Sequence, residues 1–354
     1  MAVFLVNFLL IVLWDILLLQ NNPTESKKKI FCTISAIQWI LISGLRSIEL
    51  SRDVSINYVR AFEETKLMPW LKIFSAIRDY LFNGLEIKDP GYNLVMKIFQ
   101  IFSNNFQVFL IFIAIVFTVS MAVWIYKYSS MPGLSFLIYS SLFYSFFALT
   151  GLRQTIATAL VVFIADKFVR ERKFIPFAII AFIAFLIHKS SVVFVIYYLI
   201  AGISITPMYL AFSGCVIAAI SMLGGSLYAP IANILGFGDE VITNNRHSAT
   251  TYALMMLAIC IIAYFVYPLV SKQREDSKFL YNMLILTIFS NLLVMQNQSF
   301  MRIQQYFALI IMIIIPEIIL TIDKRHRAII YLCGIVFMLF YLVSNNPQYR
   351  FFWQ

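Results

Sequence analysis

The 354-residue chain is 61% hydrophobic and only 12% charged, with a mean hydropathy of +0.85, and so has far too little polar surface to be a soluble globule. A formal net charge of +10 would point a soluble protein towards nucleic acid. Here the basic residues sit where membrane-orientation signals belong, and no nucleic-acid partner is expected.

Apolar runs of roughly 17 to 25 residues between polar breaks predict an all-α, polytopic membrane protein of about twelve spans. In chain order they fall near residues 2–19, 30–45, 106–126, 134–150, 153–169, 174–188, 191–205, 207–224, 251–270, 279–295, 303–320 and 328–344. The first run has no basic leader, contains Asn7 and Asp15 and is followed by no small-residue cleavage site, so it is expected to be retained as a span. Lys27, Lys28 and Lys29 follow the first span and Lys127 the third; Lys167, Arg170, Arg172 and Lys173 follow the fifth. Lys272, Arg274 and Lys278 follow the ninth, and Lys324, Arg325 and Arg327 the eleventh. All these clusters share one side, which the positive-inside rule makes cytoplasmic, leaving both termini outward. Cys32, Cys215, Cys260 and Cys333 lie singly in apolar runs, which indicates neither a disulfide framework nor a zinc site.

Two long segments fall on the outer side, residues 46–105 and 225–250, and long loops in compact chains tend to carry function. In the first, Asn93, Lys97, Gln100 and Asn104 recur at helical spacing among apolar neighbours, and Val59 to Leu81 carries Trp70 and Phe74 beside mixed charges. Both read as amphipathic helices lying in the membrane interface. The second has Gly225, Pro230, Gly236 and Gly238 before Asp239, Glu240, Arg246 and His247, a composition that suits a lid or an acceptor-binding segment.

Arg46, Arg52, Arg153, Lys189, Arg246, Arg302 and Arg350 stand on the outer side, where the orientation rule does not explain them. Snorkelling to headgroups accounts for any one of them. Several at junctions between apolar segments, above all Arg46, Arg153 and Arg302, argue for a shared anion such as the pyrophosphate of a lipid-linked sugar, which a guanidinium fits in bidentate fashion. Gly151 interrupts an apolar run just before Arg153, so a helix is expected to start there and turn its free N–H groups towards a phosphate. His188, Lys189, Ser190 and Ser191 make a polar break at the same level; Lys189 should depress the His188 pKa and favour the neutral, proton-accepting form. No Asp-x-Asp pair occurs, and neither a metal nor a cofactor is expected.

The order of short motifs resembles the EpsG family of bacterial exopolysaccharide proteins, relatives of the Wzy-type repeat-unit polymerases. It runs through Gly44-Leu45-Arg46, Arg52-Asp53, Tyr58, Asp89-Pro90-Gly91-Tyr92, Gly151-Leu152-Arg153-Gln154 and His188-Lys189-Ser190. It continues with Arg302 before Tyr306-Phe307 and ends at Pro347-Gln348-Tyr349-Arg350-Phe351. Asp89 stands where the family usually has glutamate, and Leu50-Ser51-Arg52 replaces the usual Val-Gly before the early aspartate. The resemblance implies polymerisation of undecaprenyl-pyrophosphate-linked repeat units at the outer face of the bacterial plasma membrane, for exopolysaccharide, capsule or O-antigen. It also implies the lipid-linked oligosaccharide and membrane lipid as partners, with a chain-length regulator and a flippase as further ones. Under it Arg46, Arg153, Arg302 and Lys189 meet the pyrophosphate, and His188, in preference to Asp53, acts as general base. Arg52, Tyr58, Tyr92, Gln154, Tyr306 and Arg246 would bind the remainder of the substrate. The competing expectation is a flippase or exporter of the same lipid-linked oligosaccharide; the lack of a clear internal repeat weighs against it.

Overall fold

The computed structural model describes residues 1–20, 23–234, 249–346 and 348–354, with 223–229 as backbone. Among the described residues the regular structure is helical, apart from one antiparallel bridge between Arg46 and Phe351. Among the described residues six helices are long and apolar enough to cross a membrane: Ala2–Leu19, Phe106–Tyr128, Pro132–Leu149, Thr250–Gln273, Ser277–Gln296 and Lys324–Ser344. A seventh candidate is the pair Gln298–Ala308 and Ile311–Thr321, bent by 56°. Shorter apolar helices, Phe174–Ile187, Lys189–Ile200 and Pro207–Met222, lie between them. The chain is a multi-pass, all-helical membrane protein.

The helix starts follow from local chemistry. Asn105 accepts from the backbone N–H of Gln107 and Val108 at the start of the Phe106–Tyr128 helix, Thr24 from that of Lys27 before Glu25–Gly44, and Asp323 from that of Arg325 before Lys324–Ser344. Each such cap satisfies N–H groups that the first turn leaves open. Pro316, inside Ile311–Thr321, has no N–H to offer the carbonyl of Met312. The Ser135 hydroxyl donates to that carbonyl instead, at 2.6 Å.

Packing sorts the apolar surface. The Ala2–Leu19 helix buries Phe4, Phe8 and Ile11 and leaves Val6, Leu9, Leu13, Ile16 and Leu17 exposed, as a helix with one face to protein and the other to lipid must. The main core joins Trp39, Phe117, Tyr139, Tyr144, Phe147 and Phe163. A smaller cluster joins Val54, Tyr58, Phe62, Tyr92, Met96 and Phe109 to Leu152, Ile156 and Ile187. This second cluster seats the 46–105 segment on the bundle.

Within that segment the expected helix over 59–81 is broken, forming Val59–Leu67 and Trp70–Phe82. The cause is Pro69, which forces Met68 to an extended ψ of 130°. The helix expected over 93–104 begins earlier, at Pro90, and ends at Phe99. The span expected over 153–169 is a composite of Leu152–Thr158, a π-helical turn at Ala159–Ile164 and Asp166–Arg170.

At the Arg170 end of this composite, Arg170 pairs with Asp166 at 2.7 Å and also with Asp276. Arg274 pairs with Asp276 at 2.5 Å and with Glu317 at 2.6 Å. The Trp124 indole donates to Asp166 at 3.0 Å, and the Arg170 guanidinium lies 4.1 Å over the Tyr128 ring.

Candidate functional site

At the opposite end of the 152–170 composite, Arg153 and the His188-Lys189 break, both distant in sequence, converge on Asp89. Pro90 opens the Pro90–Phe99 helix, and Asp89 before it adopts the left-handed region, φ 49° and ψ 57°. The residue preceding a proline is disfavoured in the right-handed helical region, and an aspartate tolerates the left-handed one better than most side chains. Gly91 then meets the Phe174–Ile187 helix so closely that a Cβ on it would lie 2.6 Å from the Leu186 Cβ and 2.8 Å from the Leu186 carbonyl oxygen. Only a hydrogen fits there.

This contact brings the Asp89 carboxylate, whose side chain is 6% exposed, to the break that follows Ile187. The Lys189 backbone N–H donates to Asp89 Oδ1 at 3.0 Å, and the His188 Nδ1 lies 3.2 Å from Oδ2. Arg153 Nη1 donates to the same Oδ2 at 2.9 Å. Burial alone would raise the Asp89 pKa, but the hydrogen bond with His188 and the charge of Arg153 outweigh it and hold the carboxyl below its ordinary value. An ionised Asp89 accepts, so the imidazole Nδ1 carries a proton and donates. Nε2 is left with a lone pair; it is buried and has no hydrogen-bond partner among the described residues. Burial pushes the His188 pKa down, with Asp89 opposing and the charges of Arg153 and Arg302 reinforcing the fall. The neutral form expected from the sequence therefore has burial as its first cause.

Arg153 follows Gly151, which takes the left-handed φ of 54° that a side chain resists. Its guanidinium lies 5.2 Å over the Tyr58 ring, with Nε 3.4 Å from the Tyr58 hydroxyl. Tyr58 meets Tyr92 edge-on at 5.8 Å. One residue on, Gln154 Nε2 donates to the Arg302 carbonyl at 2.5 Å and ties this turn to the Met301–Ala308 helix. The Arg302 charge acts on both His188 and Tyr306, and the Tyr306 hydroxyl lies 3.3 Å from the Ser190 hydroxyl. The Tyr92 hydroxyl feels the charges of Arg153 and Arg46 alike.

The structure thus gathers Arg46, Arg153, Arg302, His188, Tyr58, Tyr92, Gln154 and Tyr306 around one region, and Lys189 joins it through its main chain. Arg52 and Asp53 are exposed; Asp53 accepts from Asn57 at 2.8 Å, and its charge reaches Tyr58 and Tyr92. Arg246, and the greater part of the 225–250 segment, lie outside the described residues. The residue that sequence reasoning missed is Asp89, the group on which Arg153 and His188 both depend. Its signal was an acid directly before a Pro-Gly pair, a position suited to an unusual backbone turn.

The sequence model of the EpsG family matches residues 29–352, and the chain belongs to that family. No curated protein and no solved structure matches it.

Proposed function

We propose that this EpsG-family protein is a polymerase of lipid-linked oligosaccharides, which transfers a growing glycan from undecaprenyl pyrophosphate to an incoming repeat unit at the outer face of the bacterial plasma membrane. The observation that carries the reading is the arrangement at Asp89. One buried carboxylate holds Arg153 against Tyr58 and orients a neutral His188 whose Nε2 is open. A cation and a base fixed on one carboxylate are what glycosyl transfer with a diphosphate leaving group requires.

In the proposed step an acceptor hydroxyl oxygen attacks the anomeric carbon of the donor sugar. The bond from that carbon to the diphosphate oxygen breaks, and its electron pair leaves with the diphosphate lipid. His188 Nε2 takes the hydroxyl proton, and Asp89 stabilises the resulting imidazolium. Arg153, Arg46 and Arg302 offset the charge that develops on the leaving group, with Lys189 as a further cation. Tyr58, Tyr92, Tyr306 and Gln154 face the remainder of the substrate, and Arg52 with Asp53 form the exposed rim where sugar hydroxyls arrive.

The basic clusters that the positive-inside rule makes cytoplasmic support putting this region on the outer side. The Val59–Leu67, Trp70–Phe82 and Pro90–Phe99 helices then lie in the outer interface. The exposure of Leu67, Leu71, Phe74 and Phe82 supports that placement, because water would not favour such a surface.

The test uses purified protein in lipid vesicles supplied with one synthetic undecaprenyl-pyrophosphate repeat unit and no nucleotide sugar. A ladder of longer glycans is expected. Passage of the substrate across the bilayer without elongation would make the protein a flippase instead. Cysteines introduced at 153 and 302 that react only from the cytoplasmic side would overturn the orientation.

A further inference from the structure

Tyr349, Phe351, Phe352 and Trp353 put four aromatic side chains into five residues, and three of them continue a series of ring contacts that starts in the core. Phe4, 1% exposed, meets Tyr349 edge-on at 5.4 Å, and Tyr349 meets Phe351 edge-on at 4.9 Å. Phe351 then stacks on Trp353 at 4.5 Å with the ring planes 9° apart. The series ends at the surface, where Trp353 is 59% and its neighbour Phe352 49% exposed.

The backbone beneath these rings is pinned. Ser47 N–H donates to the Arg350 carbonyl at 2.9 Å and Phe352 N–H to the Leu45 carbonyl at 3.0 Å, which frames the bridge between Arg46 and Phe351. The Tyr349 hydroxyl donates to the Ile42 carbonyl at 2.8 Å. Phe351 N–H donates to the Gln354 side-chain oxygen at 3.0 Å, and Gln354 N–H returns to the Phe351 carbonyl at 3.1 Å, closing a turn around Trp353. Ring surface fixed in this way loses little conformational freedom when a ligand settles on it.

The surroundings of the stack say what settles there. Arg350 Nη1 lies 3.9 Å from Glu49 Oε2, and the two side chains are 67% and 74% exposed, so a charged pair stands at the edge of the rings. By contrast, the exposed side chains of the Ala2–Leu19 helix, which faces lipid, are all aliphatic. Hydrocarbon over the rings would strip water from both charges without replacing it. A polyhydroxylated ring answers both features: its C–H face lies on the aromatic surface, and its hydroxyls bond to the charges.

We propose that the Phe351–Trp353 stack, with Glu49 and Arg350, is a glycan-holding shelf, on which one pyranose of the growing chain rests while its hydroxyls donate to Glu49 and accept from Arg350. The inference rests on the polymerase reading above and deepens it, by adding a hold on the glycan outside the Asp89 cluster. Glu49 and the exposed Asp53 are four residues apart, at most about 14 Å of chain, so a short oligosaccharide can touch the shelf and the rim together.

The experiment titrates the protein in nanodiscs with lipid-free oligosaccharides cut from the polysaccharide of the cells that make it, and reads the dissociation constant by calorimetry. Binding is expected, and Trp353→Ala should weaken it about tenfold, the size of loss that removal of an aromatic stacking partner brings. Trp353→Phe, which keeps a ring, should recover most of the affinity, and Glu49→Gln should weaken it by a smaller factor. No binding by the unaltered protein, or equal binding by Trp353→Ala or Glu49→Gln, would overturn the shelf. The rival occupant is the membrane. Acyl chains brominated along their length should leave untouched the emission that the unaltered protein has and Trp353→Phe lacks; quenching of that emission would make the rings a lipid anchor and overturn the shelf. In the vesicle assay Trp353→Ala should shorten the longest glycans, and a ladder of full length would count against the shelf equally. The two readings fail separately, because the oligosaccharide carries no diphosphate: failure to bind it sinks the shelf alone, whereas binding without elongation by the unaltered protein sinks the polymerase.

Discussion

Arg153 opens and Arg170 closes the same helical composite, roughly 25 Å apart along its axis, and their surroundings are built on opposite plans. Around Arg170, the carboxylates of Asp166, Asp276 and Glu317 enclose two guanidinium groups, those of Arg170 and Arg274, with Trp124 and Ser130 completing the bonding. Around Arg153 a single carboxylate, Asp89, serves a guanidinium, an imidazole and a backbone N–H at once. Arg46 nearby has no acid beside it among the described residues. Acids match or exceed bases in the first cluster, which ties the composite to Ser277–Gln296 and Ile311–Thr321. In the second, among the described residues, Arg46 and Arg153 face the single carboxylate of Asp89, an imbalance that the proposed anion would correct. Charge balance, more than the presence of buried charge, separates the two clusters.

Substitutions sharpen this contrast in order of effect. Arg153→Lys keeps the charge and loses the planar fork, so elongation should fall about 100-fold or more with an unchanged melting temperature; near-normal turnover would remove Arg153 from the phosphate. Asp166→Ala is the mirror case. It leaves Arg170 with one acid fewer and should cost about 3 kcal/mol of stability, read as a lower melting temperature, with kcat per folded molecule retained; a selective loss of kcat would make both clusters functional. A pH profile comes next. His188 must be neutral to accept a proton, and its pKa is displaced downward, so activity should be lost only as pH falls through a midpoint below the ordinary 6.5. An acid limb centred above that value would exclude His188 as the base. At the small end, Glu64→Ala breaks an ion pair with Arg60 whose side chains are 77% and 51% exposed, and should change stability by less than about 0.5 kcal/mol. A larger change would mean that the Val59–Leu67 helix packs against something other than lipid and water.

Hydropathy found the six long apolar helices because burial in hydrocarbon is read one residue at a time, whereas the runs expected over 174–188, 191–205 and 207–224 correspond to shorter apolar helices. The expected 279–295 falls inside Ser277–Gln296, and the expected 134–150 nearly coincides with Pro132–Leu149. The break at Met68-Pro69 was equally present in the sequence, yet the amphipathic pattern over 59–81 outweighed it. Proline is the stronger signal because its steric demand on the preceding residue does not depend on packing. The bend between Ala308 and Ile311 carries no comparable mark, since Pro316 lies a turn and a half further on and its helix continues through it. In the candidate site the arginines were visible as charges out of place and His188 as part of a polar break between apolar runs. Asp89 was not, because its role depends on a left-handed backbone and on meeting residues 64 and 99 positions away.

Gly91 sets the spacing between Asp89 and the turn at His188 with a hydrogen atom against Leu186. Any exchange of segments between this protein and a relative therefore has to move residues 89–92 and 186–190 together, since a methyl group arriving on one side without a matching retreat on the other would push the imidazole away from its carboxylate. Recombination breakpoints that separate these two stretches should be tolerated far less than breakpoints placed within the lipid-facing helices.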